Sequence, residues 1–315
     1  MSACFLGIDT SNYTTSLAVM EDGDLLFQLK APLPVKEGEC GLRQSDALFA
    51  HVKNLPELFE KAQALIGGRR IAALGVSDRP RNAEGSYMPC FLAGVSVAQG
   101  IASTLNVPLY RFSHQCGHLR AALFSADQAD LARAPFGAFH ISGGTTEMLY
   151  VTPQENGFHT EIVGGTRDLN AGQLVDRIGV TLGLAFPAGP ALEELASRYT
   201  GKIPKKPVKT ENGYLHLSGV ENQARALLEE TKDPAGVAAF VLDHLARCVV
   251  AMSLDFRETH SLPLVYAGGV MSNRYIRAYV EAHIEDAYFA APAFSADNAV
   301  GIAVLSAEAY EREHL

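Results

Sequence analysis

The residues most suited to chemistry are His114 and His118, in the run His114-Gln115-Cys116-Gly117-His118. On a helix this spacing puts both imidazoles on one face, where they can grip a single metal ion. Two ligands are too few for tight binding, so a carboxylate must come from elsewhere. Asp297, in Ser295-Ala296-Asp297-Asn298 ahead of the last helical segment, can supply it. The residue after the first histidine is a glutamine. The glutamate base of the H-E-x-x-H zinc proteases is therefore missing, which counts against a metallopeptidase.

Glycine-rich turns form the second group. Ser142-Gly143-Gly144-Thr145-Thr146 brings backbone N–H groups and hydroxyls close together, as an ordinary hairpin turn or as an anion cradle. Ala267-Gly268-Gly269-Val270-Met271-Ser272-Asn273 ends an apolar strand and leads into a helix. It reads either as a helix cap or as a phosphate site, with Asn273 able to reach a base or ribose. In Asn170-Ala171-Gly172-Gln173-Leu174-Val175-Asp176, Leu174, Ile178 and Leu182 share a packed face. Asp176 is then left to point at a ligand or at solvent. Gly189, in Phe186-Pro187-Ala188-Gly189-Pro190, permits close backbone approach. A basic cluster, Arg198, Lys202, Lys205, Lys206 and Lys209, lies among Pro204 and Pro207 and reads first as a solvated loop.

The elements that must position these groups alternate between strand and helix patterns. Residues 4–8, 16–20 and 25–29 are strand-like, with a hydroxyl-rich turn after the first and a Glu21-Asp22-Gly23-Asp24 hairpin signal after the second. Residues 136–141, 148–151 and 158–163 repeat the plan, with Thr145-Thr146 in the place of Thr14-Thr15. Helical spacing marks 48–66, 91–105, 171–184, 237–249 and 299–311; strands are expected at 71–77, 107–110 and 264–267. Two similar meanders suggest two related lobes on the plan of the actin-like, sugar-kinase and heat-shock ATPase superfamily, with a nucleotide between them. The expected lobes are residues 1–131 with 295–315, and 132–294.

The 315 residues are 48% hydrophobic and 19% charged, an ordinary globular mixture with a core for two lobes. The start, Met1-Ser2-Ala3-Cys4, has no basic region, so no signal peptide is expected. No apolar run is expected to reach the roughly 18–20 residues of a membrane span. Five scattered cysteines, Cys4, Cys40, Cys90, Cys116 and Cys248, are expected as reduced thiols in a cytoplasmic protein. A net charge of −9 argues against non-specific nucleic-acid binding by the whole surface.

In order, the segments 6–11, 93–100, 113–119, 140–146, 171–190, 267–273 and 297–299 resemble the TsaD-type tRNA threonylcarbamoyl transferases, formerly called glycoprotein endopeptidases. The resemblance runs over nearly the whole chain. It implies an α/β, two-lobed actin-like fold with duplicated RNase H-like lobes. It further implies transfer of a threonylcarbamoyl group from threonylcarbamoyl-AMP to N6 of the adenosine beside a tRNA anticodon. By resemblance His114, His118 and Asp297 bind one divalent ion, iron or zinc. His140, Ile141, Ser142, Gly143 and Gly144, with Asp176, Gly189 and Asn273, contact the adenylate or an ATP-like nucleotide. No protein nucleophile is required, and Asp9 is the candidate catalytic side chain. Implied partners are tRNA, a TsaB-like pseudo-homologue and a TsaE-like ATPase, in a homo- or heterodimer away from membranes.

Several positions depart from the family pattern. Asn12, Tyr13 and Thr14 replace acidic residues of the opening turn, and Asp78 to Ser86 replaces a Gly-Pro-Gly loop. Val220-Glu221 stands where a lysine follows the Ser-Gly pair, and Gln173 replaces a glutamate. These differences keep two alternatives in view: a non-catalytic TsaB-like scaffold, and a carbamoyltransferase acting on a small molecule.

Overall fold

The structure is a computed structural model that describes residues 3–34 and 42–314. Met1, Ser2 and Cys40 lie outside the described residues. The chain opens with β1 (Ala3–Thr10), β2 (Thr14–Glu21), β3 (Asp24–Pro32), α1 (Gln44–Ile66), β4 (Arg70–Arg79), α2 (Phe91–Leu105), β5 (Leu109–Ser113) and α3 (His114–Ser125). There follow β6 (Phe136–Ile141), β7 (Thr146–Gln154), β8 (Gly157–Thr166), α4 (Ala171–Thr181), α5 (Gly189–Ser197), β9 (Tyr214–Leu215), α6 (Ser218–Thr231) and α7 (Pro234–Thr259). The last elements are β10 (Leu264–Ala267), α8 (Arg274–Glu281), β11 (Ala287–Phe289), α9 (Pro292–Ser295) and α10 (Val300–His314).

Two compact units result. The first is residues 1–132, 153–159 and 296–315; the second is 133–152 and 160–295. The segment 153–159 was expected with the second lobe but belongs to the first unit. Hydrogen bonds explain its place: Asn82 Nδ2 donates to the Phe158 carbonyl at 2.8 Å and Arg312 Nη2 to that of Glu155 at 2.7 Å.

The first unit is built on a sheet of order β3-β2-β1-β4-β5. Strand β1 pairs antiparallel with β2 and parallel with β4. Central strands covered on both faces read as continuous apolar runs, as Cys4-Phe5-Leu6-Gly7-Ile8 does. Leu6, Ile8, Leu17, Val19, Leu74 and Val76 form the core with Leu55 and Leu58 of α1 and Ala98 of α2. Helix α10 lies directly on the sheet: a Cβ at Gly7 would come 2.5 Å from the Ala303 nitrogen.

The second unit has the order β11-β10-β6-β7-β8-β9. Read from β8, its first five strands follow the same sequence of meander, then two parallel strands, as the first sheet. Its core gathers Phe139, Leu174, Ile178, Leu192, Phe240, Leu245, Phe256 and Tyr266 around α7. Contrary to the expectation that no apolar run is so long, α7 is long and apolar enough to cross a membrane. Most of it is buried inside the second unit, the setting of a core helix. Cys4, Cys90, Cys116 and Cys248 are free and buried.

Candidate functional site

Three side-chain donors converge in the first unit. Strand β5 feeds α3 through Ser113, whose Oγ accepts from the Cys116 N–H at 3.2 Å and caps the helix. The cap makes His114 the first helical residue and sets His118 one turn later on the same face. Asp297 sits just ahead of α10, where Asn298 Oδ1 accepts from the Val300 N–H at 3.0 Å. The two helices meet glycine to glycine: a Cβ on Gly301 would lie 1.8 Å from the Gly117 carbonyl oxygen. That approach carries Asp297 to the histidines. His114 Nε2 and His118 Nε2 are 2.9 Å apart, and Asp297 Oδ1 is 3.5 Å from the first and 3.3 Å from the second.

These separations fit a shared ion. Bonds of about 2.1 Å put neighbouring ligand atoms about 3.0 Å apart at right angles and about 3.4 Å apart in a tetrahedron. Two histidines and one carboxylate on one side leave coordination positions open, the mark of a catalytic rather than a structural site. Asp9 supplies the outer contact. Its Oδ2 lies 2.7 Å from His114 Nδ1, and its Oδ1 accepts from the Ser11 N–H at 3.0 Å. A carboxylate on Nδ1 holds the proton there and leaves Nε2 as the ligand atom. Asp9 is thus placed behind the histidine.

Burial alone would lower the basicity of His114, but Asp9 and Asp297 outweigh it and hold its pKa at about 10. Burial would likewise raise both carboxyls. The imidazole of His114 keeps Asp9 below the usual range, and His114 and His118 keep Asp297 well below it. In the metal-free chain this pairing stabilises the fold fully below the ordinary histidine pKa of 6.5 and is lost as pH rises through about 10. Metal binding must displace that proton. Apparent affinity for Zn²⁺ is therefore expected to rise by about tenfold per pH unit between about pH 6 and 9. Titration calorimetry in buffers of differing ionisation heat should show about one proton released. A pH-independent affinity with no proton release would contradict this.

The turn after β1 is held by a histidine that spacing did not single out. His51 of α1 is fully buried. Its Nε2 is 2.7 Å from the Ser11 carbonyl, to which it donates, leaving Nδ1 to accept from Thr15 Oγ1 at 2.8 Å. Burial lowers its pKa, so it stays neutral. Asn54 Nδ2 donates to the same Thr15 oxygen at 3.1 Å. A lone histidine in an amphipathic helix carries no sequence signal for such a role.

In the second unit the expected glycine segments do meet. The Ser142 carbonyl accepts from the Gly172 N–H at 3.2 Å, and Asn170 Nδ2 donates to the Gly144 carbonyl at 2.9 Å. A Cβ on Gly172 would strike Ser142 and Gly143 backbone at 2.5–2.7 Å, so only glycine allows this docking. Gln173 completes the cap of α4, accepting from the Asn170 N–H at 3.2 Å. Gly268, at φ +103°, presses on the Ile141 carbonyl. Around these contacts Gly143, Gly144 and Gly269 face open space, with nothing within 4 Å of a Cβ on any of them; Gly189, at the start of α5, is equally open. The result is a cradle of glycine backbone at the end of β6, where His140 also lies.

Three residues expected at the ligand also have structural work. Asp176 Oδ1 accepts from the Ala188 N–H at 2.8 Å and pins the turn before α5. Asn273 Oδ1 caps α8 through the Ile276 N–H at 3.1 Å. Ile141 is buried, and its side chain belongs to the core. Short polar side chains next to helix ends are drawn to unpaired backbone donors, which explains the first two.

The comparisons with known proteins follow this geometry. The family described as TsaD, tRNA N6-adenosine threonylcarbamoyltransferase, matches residues 41–304. A tRNA N6-adenosine threonylcarbamoyltransferase of Thermus thermophilus is 32% identical over 98% of this chain and 93% of its own length. One from Streptococcus uberis is 28% identical over the same shares. Among solved structures, HypF from T. kodakarensis superposes with a TM-score of 0.61 at 14% identity, covering 99% of this chain and 48% of that one. The activator of 2-hydroxyisocaproyl-CoA dehydratase from Clostridium difficile gives 0.55 at 14%, covering 100% and 97%. A ROK family glucokinase from Streptomyces griseus gives 0.53 at 13%, covering 97% and 99%. These likenesses place the fold in the actin-like, sugar-kinase class.

Proposed function

This chain belongs to the TsaD family of tRNA N6-adenosine threonylcarbamoyltransferases, and on that premise we propose that it transfers a threonylcarbamoyl group from threonylcarbamoyl-AMP to N6 of the adenosine beside the tRNA anticodon. It is a transferase of tRNA modification. The observation that carries the finer reading is the convergence of His114, His118 and Asp297. A scaffold has no use for such a donor set.

The chemistry asks little of the protein covalently. The N6 lone pair attacks the carbamoyl carbon of the mixed anhydride, the bond from that carbon to the phosphate oxygen breaks, AMP departs with the electron pair, and one N6 proton is released to water. No protein nucleophile intervenes. His114, His118 and Asp297 would hold one divalent ion, iron or zinc, which would supply a Lewis acid for the donor's oxygens. Asp9 orients His114 through Nδ1. The open glycines 143, 144 and 269 present N–H groups to the adenylate phosphate and stabilise the charge that develops on it. Asp176 and Asn273 support the cradle by fixing the Ala188 turn and α8. A TsaB-like partner and a TsaE-like ATPase complete the cytoplasmic assembly.

Purified protein with these partners, given threonylcarbamoyl-AMP and unmodified tRNA, is expected to yield the modified adenosine. Nucleoside analysis by mass spectrometry reads the product. Absence of product, where a Thermus relative works side by side, would sink the reading. Carbamoylation of a small molecule in place of tRNA would turn it to a different acceptor.

A further inference from the structure

The basic segment of the second unit does not stand free in solvent. Lys202, Pro204 and Lys205 line one side of a groove of about 720 Å³, and Asp243, Tyr275 and Tyr279 line the other. Arg247 Nη1 donates to the Lys206 carbonyl at 2.7 Å and anchors this segment to α7. The same guanidinium pairs with Asp243 at 2.8 Å, and Tyr275 Oη donates to that carboxylate at 3.0 Å. The one acid of the groove is therefore neutralised in place, and the lysines set the local sign.

The aromatic wall is a ladder along α8 and the turn that follows it. Tyr275 and Tyr279 have ring planes 24° apart with centroids 6.4 Å apart; Tyr279 and His283 are 18° and 4.2 Å apart. Tyr275 keeps 38% of its surface exposed, so the ladder ends on an open ring. An open aromatic stack beside lysines is the arrangement that receives unpaired bases and their phosphates. The net charge of −9 confines any such contact to a local patch.

We propose that this groove docks a single-stranded stretch of the tRNA substrate, with a base stacked on Tyr275 and phosphates held by Lys202 and Lys205. The inference rests on tRNA being the acceptor. It adds where on the chain the RNA is gripped.

The test is binding of unmodified tRNA to the full chain, read by fluorescence anisotropy at several salt concentrations. Tyr275→Ala is expected to weaken binding roughly tenfold, while Tyr275→Phe, which keeps the ring and drops the hydroxyl, binds as the parent does. Lys202→Glu with Lys205→Glu is expected to weaken binding and flatten the slope of log affinity against log salt by about one to two. If parent and folded variants bind alike, the groove is not the RNA contact, and acceptor chemistry stands untouched. If the parent binds no tRNA either alone or with the partners named above, the acceptor reading and this one fall together. Displacement of RNA by poly-glutamate, with Tyr275→Ala leaving poly-glutamate binding unchanged, would assign the groove to an acidic protein segment and overturn the proposal.

Discussion

Asp297→Ala is expected to strip the protein of its metal and lower turnover on tRNA by about a hundredfold or more, while the fold survives. Altering a group that merely orients a ligand costs roughly 10–100-fold in metal affinity or activity, and losing a ligand costs at least that. Asp297 also faces both imidazoles, at 3.5 and 3.3 Å. Its removal leaves two nitrogens, too few for tight binding, and takes away one of the carboxylates that keep His114 near a pKa of about 10. Asp297 is about a fifth exposed, so truncation opens no sealed cavity. Metal content by plasma mass spectrometry and product by nucleoside analysis check the expectation together. Full activity in a metal-free Asp297→Ala protein would remove these residues from the chemistry.

Gly301→Ala should do comparable damage by a different route. The added methyl carbon would lie 1.8 Å from the Gly117 carbonyl oxygen and 2.8 Å from the Ala121 nitrogen. Both are backbone atoms, so no side chain can swing aside and the helices must part. Overpacking of this kind costs about 3 kcal/mol or more. The separation also draws Asp297 off the histidines, so metal affinity falls in whatever fraction still folds. Gly100→Ala on α2 is the control, because nothing lies within 4 Å of its Cβ. There the change removes only unfolded-chain freedom and should be neutral or stabilise by about 0.5–1 kcal/mol. Denaturant midpoints and metal content compare the two. Equal midpoints for Gly301→Ala and the parent would show that the helices do not rely on this crossing.

Local chemistry was legible in the sequence, and long-range satisfaction of polar groups was not. The histidine pair and the double-glycine turns announce themselves through spacing, because a helix turn and a tight backbone approach are properties of adjacent residues. Asp297 was found by its place before the last helix together with family resemblance. Asp9 is different: it meets His114 from 105 positions away, and only the order of β1, β4 and β5 makes them neighbours. His51 went unread for the same reason, since both its partners lie on a turn 36–40 positions upstream. Asp176 and Asn273 were assigned to ligand because of their residue type, yet each spends an oxygen on a backbone N–H nearby. The apolar length of α7 was underestimated because Asp243, His244 and Arg247 interrupt its middle; these form their own polar contacts along one stripe.

Thr15 and Thr146 hold corresponding places in the repeated strand order. Each lies within the first two residues of the second strand of its meander and pairs with the last residue of the first, Thr10 and Ile141 respectively. Each then ties its turn to the next long helix by one buried hydroxyl, Thr15 to His51 of α1 and Thr146 to the Ala171 N–H of α4 at 2.8 Å. The same kind of tie therefore recurs in both units beside turns of different chemistry. In the first unit it steadies a turn beside the Asp9–His114 pair; in the second it steadies a turn of bare glycine backbone. A substitution that retunes the acid–histidine cluster therefore meets none of the constraints that keep the glycine turn of the second unit free of side chains.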